Sequence, residues 1–554
     1  MTTLQHSAEL DGLRTQLLWD RLLALVEEQA QTLMRTAFST VVREAGDLSA
    51  GVFDTRGRMV AQAVTGTPGH VNAMAASVGK FLQRLPLSGL VPGDVLLTND
   101  PWDGTGHLND FTVVTPVFNG QRCVALFAAT SHIADVGGRG FGPDANELFE
   151  EGLRIPITYL FQAGVRNDLL LDILKANVRD PVVAEGDLYS LTACNDAGAE
   201  QLLATLAEFE QADLDAIGEH IISTSERAMR AAIADLDDGC YQHQTIIDGY
   251  DEPLTLRCSL TISGDRVHID FAGSPPASRF GINVPLPYTQ AYASFGVRCI
   301  VGGDIPNNAG SLAPIAVVAE AGSLLAALAP SAVSARHSVG QMLPDLVLGA
   351  LAQLMPDRVP AEGASCIWNP VLRGGDWVIN PIFNGGTGAR PMPGSLADKD
   401  GLSTTAFPSG VRTTSTEINE VSAPLVFWRR EYAPNSGGNG TLRGGLGQRV
   451  EIEHRLAQPF IVSKMFDRVN HPAAGRDGGD PGAPGIVAIE LPAVASSDPA
   501  SQSQLQPLAG KGADTVPAGA RLILQTPGGG GIGSPQLRAD DAARGDRQAG
   551  LVSD

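Results

Sequence analysis

Apolar side chains recur at helical spacing from Leu13 to about Glu44, through Leu17, Leu18, Leu22, Leu25, Val26, Leu33 and Phe38. This pattern predicts one long amphipathic helix laid over a sheet. Further along, Gly51 to Val60 reads as a hairpin around Thr55-Arg56-Gly57, His70 to Leu85 as a helix and Asp94 to Thr98 as a strand. Two apolar or alternating runs, Phe111 to Phe118 and Gln121 to Ala128, flank Asn119-Gly120, the strongest short-range signal for a two-residue type I′ turn. Residues facing each other across that turn have numbers summing to 239, which sets His107 opposite His132 and Asp110 opposite Ala129.

From Asn167 to about Asp238 the pattern is helical, with Leu202, Leu206, Phe209, Leu214, Ile217, Ile221 and Ile222 as core positions. Near Asp237-Asp238-Gly239 it changes to strands over Gln244 to Ile247, Leu254 to Ile262 and Val267 to Phe271, which marks a boundary near residue 240. An apolar helical stretch runs from Ser338 to Leu354, and glycine-rich loops dominate from about Phe383. Residues 493 to 516, rich in Ala, Ser, Gln and Pro, read as a surface loop or linker. The expected class is α+β and multi-domain, with mixed sheets, a helical block in the N-terminal half and a C-terminal half rich in strands and glycine loops. The expected divisions are an N-terminal region 1–240, a mixed middle region 241–382 and a mainly β region 383–554.

Composition narrows the function. A net charge of −22 over 554 residues, with no basic run, argues against nucleic acid or an anionic membrane surface. Six cysteines at 123, 194, 240, 258, 299 and 366 form no C-x-x-C pair, which suits reduced thiols in a cytoplasmic protein. The N-terminus shows no secretory pattern. The most apolar long window, Leu312 to Ala335, contains Glu320 and prolines and does not suit a membrane span. Any metal would therefore be held by imidazole and carboxylate.

His107, Asp110 and His132 are the candidate ligands, since two imidazoles and a hard carboxylate suit one divalent transition ion. Residues three apart on a regular strand face opposite ways, so Gly104 to Asn109 must be a loop, which Gly104 and Gly106 permit. The plain alternative is that these are polar strand ends closing turns. Asp135 is the candidate general base and Asp100 a second nearby carboxylate, with turn capping as the alternative for both. Arg336 and His337 precede the helix near Ser338, where a solvated cap is the favoured reading and contact with an anionic substrate the sharper one. Thr414 to Glu417 reads as a capping box. Gly528 to Gly533 matches G-x-G-x-x-G formally, but Pro535 follows and too little chain remains for a dinucleotide fold. The sequence contains no phosphate-loop motif. A facial-triad Fe(II) oxygenase is disfavoured because such sites usually read His-x-Asp.

Several segments together resemble the hydantoinase B/oxoprolinase family, to which the large subunit of acetone carboxylase-type enzymes is related. They include RTAFSTVVREAGDLSAGVFD (Arg35 to Asp54), NDPWDGTGHLNDFTVVTPVF (Asn99 to Phe118), SHIADVGG (Ser131 to Gly138) and DIPNNAGSLAPI (Asp304 to Ile315). FNGGTGAR (Phe383 to Arg390), SGGNGTLRGGLG (Ser436 to Gly447) and TPGGGGIGSP (Thr526 to Pro535) continue the likeness. Many hydantoinase members read G-G-T-H-L-P-D where this chain has Gly104-Thr105-Gly106-His107-Leu108-Asn109-Asp110.

The resemblance implies the B subunit of an ATP-dependent hetero-oligomer that opens a cyclic amide: a hydantoin, 5-oxoproline or another lactam. A hydantoinase A-like partner would bind ATP and Mg, and Zn or Mn would sit on His107, Asp110 and His132, the positions the carboxylase branch uses. The alternatives are a subunit of an ATP-dependent acetone or acetophenone carboxylase-type enzyme and a non-catalytic scaffold.

Overall fold

In a computed structural model, the structure describes residues 2–64, 66–392, 397–492 and 504–553. The first sheet has seven strands: β1 (Leu48–Phe53), β2 (Met59–Gln62), β3 (Val95–Thr98), β4 (Asp110–Asn119), β5 (Arg122–His132), β6 (Thr158–Gln162) and β7 (Val165–Arg166). They are ordered β2-β1-β5-β4-β3-β6-β7, and every pair is antiparallel. The helices Thr2–Thr36 and Pro181–Glu208 pack on one face, and the helix Pro68–Arg84 packs on the other. Alternate residues of β4 therefore enter different cores, with Phe111 and Val113 on the side of Leu188 and Leu191, and Val114 on the side of Met74 and Phe81. Burial on both faces explains why β4 reads as a nearly continuous apolar run.

The predicted first helix ends earlier than its pattern suggests, at Thr36, and a short turn of helix resumes at Thr40–Arg43. Asp187 causes the break, because its Oδ1 accepts from the backbone N–H groups of Phe38 and Ser39, at 2.7 and 3.1 Å. Phe38 consequently lies outside the helix and is exposed.

The second sheet contains β8 (Gly239–Ile247), β9 (Leu254–Ser263), β10 (Arg266–Asp270) and β11 (Ile315–Val318), in the order β11-β10-β9-β8. The strands Val371–Gly374, Trp377–Ile379, Phe460–Met465 and Lys511–Val516 form a third sheet. Leu425–Tyr432, Gln448–His454, Ile486–Leu491, Gln504–Pro507 and Arg521–Gln525 form a fourth. These last two sheets share one core, in which Leu372, Val462 and Val516 meet Val450, Leu522 and Leu524. The architecture bears out a mixed α and β fold with several sheets. Of the expected linker, residues 493–503 lie outside the described residues, whereas Gln504–Pro507 and Lys511–Val516 are strands. The helix over Thr416–Ser422 is capped by Ser415, whose side chain accepts from the Ile418 N–H, rather than by Thr414.

The glycine loops interlock. Gly438 N–H donates to Gly529 O, Gly529 N–H to Gly445 O and Gly445 N–H to Thr387 O, at 2.8, 3.0 and 2.8 Å. A Cβ on Gly529 would lie 1.9 Å from the Thr387 carbonyl oxygen, and one on Gly444 would lie 1.9 Å from that of Gly529. Backbones this close exclude any side chain. The tail glycines are thus packing elements, consistent with the weakness of their dinucleotide match.

Candidate metal centre

The β4–β5 hairpin does not take the predicted register. Asn119 pairs with Arg122, leaving Gly120 and Gln121 as the turn residues, with Gly120 at φ +62° and Gln121 at negative φ. A left-handed residue at the first turn position alone is the type II′ pattern. A bulge then separates Val117↔Ala125 from Phe118↔Cys123, so β5 carries one extra residue. Asp110 accordingly faces His132, not Ala129. His107 precedes the strand in a loop, as the spacing requires.

Gly106 allows that loop. It adopts φ +107°, and a Cβ there would come within 2.6 Å of Arg336 Nε. Thr105 Oγ1 donates to Asp110 Oδ2 at 2.8 Å, and Asn109 pairs with Ile133 through both backbone and side chain. Asn99 and Asp100 hold the loop from behind. The Asn99 side chain bridges Leu108 O, Leu153 O and Ile155 N–H, while Asp100 caps Trp102 and binds Arg154.

Asp110 is fully buried and is the hub of the centre. Its Oδ1 lies 2.6 Å from His107 Nε2 and 3.4 Å from His132 Nδ1. Its Oδ2 lies 2.9 Å from His70 Nε2 and pairs with the guanidinium of Arg336. Arg336 also donates from Nε to Thr105 O and stacks over the Tyr288 ring at 4.0 Å. Burial alone would raise the Asp110 carboxyl, but His107, His70 and Arg336 together hold it far below the usual carboxylate range. Burial and then the charge of Arg336 push the His107 imidazole down to about 3. For His70, burial acts to lower the imidazole, and Asp110 and Asp47 overcome it, leaving it raised. Burial, Arg336 and His107 hold His337 well below its ordinary value.

His107 Nδ1 lies 3.1 Å from the Ser334 carbonyl, an acceptor that calls for a proton on Nδ1 and turns Nε2 toward Asp110. Nε2 then lies 2.6 Å from Asp110 Oδ1. A contact this short needs a cation between or beside the two atoms, either a proton on Nε2 or a metal ion. One ligand atom from each of His107, Asp110 and His132 falls within 4.8 Å of the others. These residues fit a divalent transition ion, and the Ser334 carbonyl behind His107 would hold the imidazole in the orientation a ligand needs.

A cavity of about 20 Å³ lies against the cluster, walled in part by Asp47, His70, His107, His132, Arg336 and His337. That is room for one ion or water. On its far side lies a cleft of about 1,140 Å³ between the first and third sheets, which His132 and Phe141 also line. Asp135 lies on the cleft wall away from the cluster. Its carboxylate accepts from Gly137 N–H and from both the backbone and the guanidinium of Arg179. Arg336 and His337 are buried in the centre rather than forming a solvated cap. Sequence reasoning missed Asp47, His70 and Phe141 altogether. The signal available for Arg336 and His337 was their setting, two cationic types between Ala335 and Val339 with no acidic neighbour in sequence.

Comparison with known proteins places these features in a wider group. The hydantoinase B/oxoprolinase family model matches residues 11–535. The caprolactamase subunit beta of Pseudomonas jessenii is 28% identical over 549 residues, which cover 95% of this chain and 91% of that subunit. The crystal structure of the ATP-dependent caprolactamase from Pseudomonas jessenii superposes with a TM-score of 0.87 at 24% identity, covering 98% of this chain and 94% of that one. A nucleotide-free acetone carboxylase superposes with a TM-score of 0.86 at 19% identity, covering 98% of this chain and 78% of the other. Both structural likenesses show the fold. Among the described residues no helix is long and apolar enough to cross a membrane.

Proposed function

The chain belongs to the hydantoinase B/oxoprolinase family, and from that premise we propose that it is the metal-bearing subunit of an ATP-dependent amidohydrolase that opens a cyclic amide. The substrate class is a hydantoin, 5-oxoproline or another lactam. A hydantoinase A-like partner binds and cleaves ATP with its Mg, consistent with the absence of a phosphate-loop motif here and with the subunit naming of the caprolactamase relative. The observation that carries the reading is the gathering of His107, Asp110 and His132, with ligand atoms within 4.8 Å of one another, beside a cavity of ion size.

His107, Asp110 and His132 would hold the ion, and two imidazoles favour Zn or Mn over Mg. When bound, such an ion supplies Lewis-acid chemistry, polarising a carbonyl or bringing the pKa of water to about 7. The chain's own groups do the rest. The Ser334 carbonyl keeps His107 in the Nδ1–H tautomer. Arg336, Thr105 and His70 occupy the second oxygen of Asp110 and fix its plane. The cleft orients the substrate and limits its water. Asp135, the base candidate from sequence, has its oxygens engaged by Arg179 and Gly137. We give the proton-accepting role to Asp47, which lines the small cavity; its Oδ1 accepts from Thr67 Oγ1 and lies 3.5 Å from His70 Nδ1, so Oδ2 is the oxygen that would take the proton.

The test is His132→Ala in the complex reconstituted with the ATP-binding partner, with metal content, lactam-dependent ATP cleavage and assembly on gel filtration measured together. The proposal expects assembly to persist and turnover to fall at least a hundredfold, since each 1.4 kcal/mol of lost transition-state stabilisation is about tenfold in rate. Near-normal turnover in an assembled, metal-depleted complex would instead leave the chain a scaffold. Bicarbonate consumption with a new carbon–carbon bond would move it to the carboxylase branch, which the acetone carboxylase likeness supports at the level of fold alone.

A further inference from the structure

Three side chains, His132, Phe141 and Asn380, line both the 20 Å³ cavity and the 1,140 Å³ cleft. Of these, Phe141 meets His107 edge-on at 5.7 Å and His132 edge-on at 5.0 Å, and it stacks on His337 at 5.9 Å and 24°. The small cavity has no room for a lactam ring, so a substrate entering from the cleft meets Phe141 and His132 before it meets His107 or Asp110.

The backbone around Phe141 is pinned on both sides and open at the tip. A Cβ at Gly137 would lie 2.4 Å from Asn177 O, one at Gly138 2.4 Å from Glu150 O, and one at Gly142 2.5 Å from Ser463 Oγ. These close approaches fix both ends of the segment. Gly140, between them, has nothing within 4 Å of its Cβ position and adopts φ +86°. The cleft of about 1,140 Å³ that Phe141 lines offers the ring space to turn outward. Held where it is, it shields the imidazoles; turned outward, it opens the cavity to the cleft.

We propose that Phe141 is the specificity-determining gate of this centre, setting the size of the group that reaches the ligands His107, Asp110 and His132. This inference rests on the metal-centre reading above. Its test is the rate at which a chelator too bulky for the small cavity strips zinc from the zinc-loaded full-length chain. Phe141→Ala should bind the same zinc equivalent as the native chain and release it to the chelator at least tenfold faster. Phe141→Leu, which keeps much of the volume but not the ring contacts, should fall between the two, and it carries the test if the alanine variant does not fold.

Variants with native zinc content and release rates within twofold of the native chain would overturn the gate while leaving the metal centre intact. A folded Phe141→Ala that no longer holds zinc would overturn it too, by making the ring a support for the ligands. A native chain that takes up no zinc would remove the centre and the gate together. With a lactam substrate in hand, Phe141→Ala should also raise kcat/KM for larger rings relative to smaller ones.

Discussion

Replacing Asp110 with asparagine changes one atom and removes one charge, and the structure gives it two separable consequences. The carboxylate faces donors or imidazoles on both oxygens: His107 and His132 at Oδ1, and Thr105, His70 and Arg336 at Oδ2. An amide offers one acceptor, so one of the two groups loses its partner and meets an N–H instead. Arg336, only 2% exposed, keeps just the Thr105 carbonyl and the Tyr288 ring. Stranding a buried charge by removing its partner costs about 3–5 kcal/mol. The assay is amide hydrogen exchange on β4 and β5 of the metal-free protein. Asp110→Asn should speed exchange there by about a hundredfold to a few thousandfold. Arg336→Met in the same chain removes the stranded cation, so the double variant should recover more than half of that loss, yet still bind no metal because the ligand is gone. An Asp110→Asn chain with native protection, or a double variant showing the sum of both single losses, would refute Asp110 as the charge partner of Arg336.

Three further outcomes follow from the same structure. His107 at about 3 and His337, also lowered, stay neutral in the folded chain while their unfolded counterparts protonate below about 6.5. Their stability contribution is thus present above 6.5 and lost as pH falls, whereas that of the raised His70 is present below 6.5 and lost as pH rises through its folded value. Glu151, raised to about 8, and Asp345, raised to about 6, act in the opposite sense, because their folded carboxyls keep protons that the unfolded ones have released. Urea unfolding of the metal-free chain should therefore show a nearly flat response between pH 5 and 6 and a loss of stability above pH 6.5, where folded His70 and Glu151 still hold protons; an acid limb approaching about 2.7 kcal/mol per pH unit would contradict it. Gly529→Ala, whose Cβ would sit 1.9 Å from a backbone oxygen, should cost about 3 kcal/mol or more and deplete soluble protein. Gly545→Ala, in open space on a helix, should be neutral or slightly stabilising by the same denaturation measurement.

Much of the fold was legible because periodicity and turn chemistry are local. The helix at His70 to Leu85 appears as Pro68–Arg84, and the three strands expected after Gly239 appear as β8, β9 and β10. The first helix was overrun because its apolar spacing continues to Phe38, while the group that ends it, Asp187, lies 149 residues away in sequence. The hairpin register failed for a related reason. Asn-Gly marks where the chain turns, but the turn type depends on which residue adopts the left-handed conformation, and a bulge leaves no reliable mark in composition. The error moved Asp110 from Ala129 to His132, and the observed pairing brings the ligand triad together more directly than the predicted one.

The centre itself divides along the same line. His107 and Asp110 are close in sequence and His132 is joined to them by one hairpin, so spacing could find them. Asp47, His70 and Arg336 arrive from β1's approach, from the first turn of the helix Pro68–Arg84 and from a segment more than 220 residues away. Nothing local links them to Asp110. What could have raised suspicion is an energetic inconsistency: Arg336 and His337 follow Ala332-Val333-Ser334-Ala335 and precede Val339, a setting that buries them. A buried guanidinium requires a buried anion, and the nearest acidic residues in sequence, Glu320 and Asp345, are each nine or more positions away. The partner had to come from elsewhere in the fold, and a carboxylate already suspected of metal binding was the natural candidate. Reading charged residues inside apolar runs as half of an unseen pair would have led from Arg336 to Asp110, and from Asp110 to the rest of the centre.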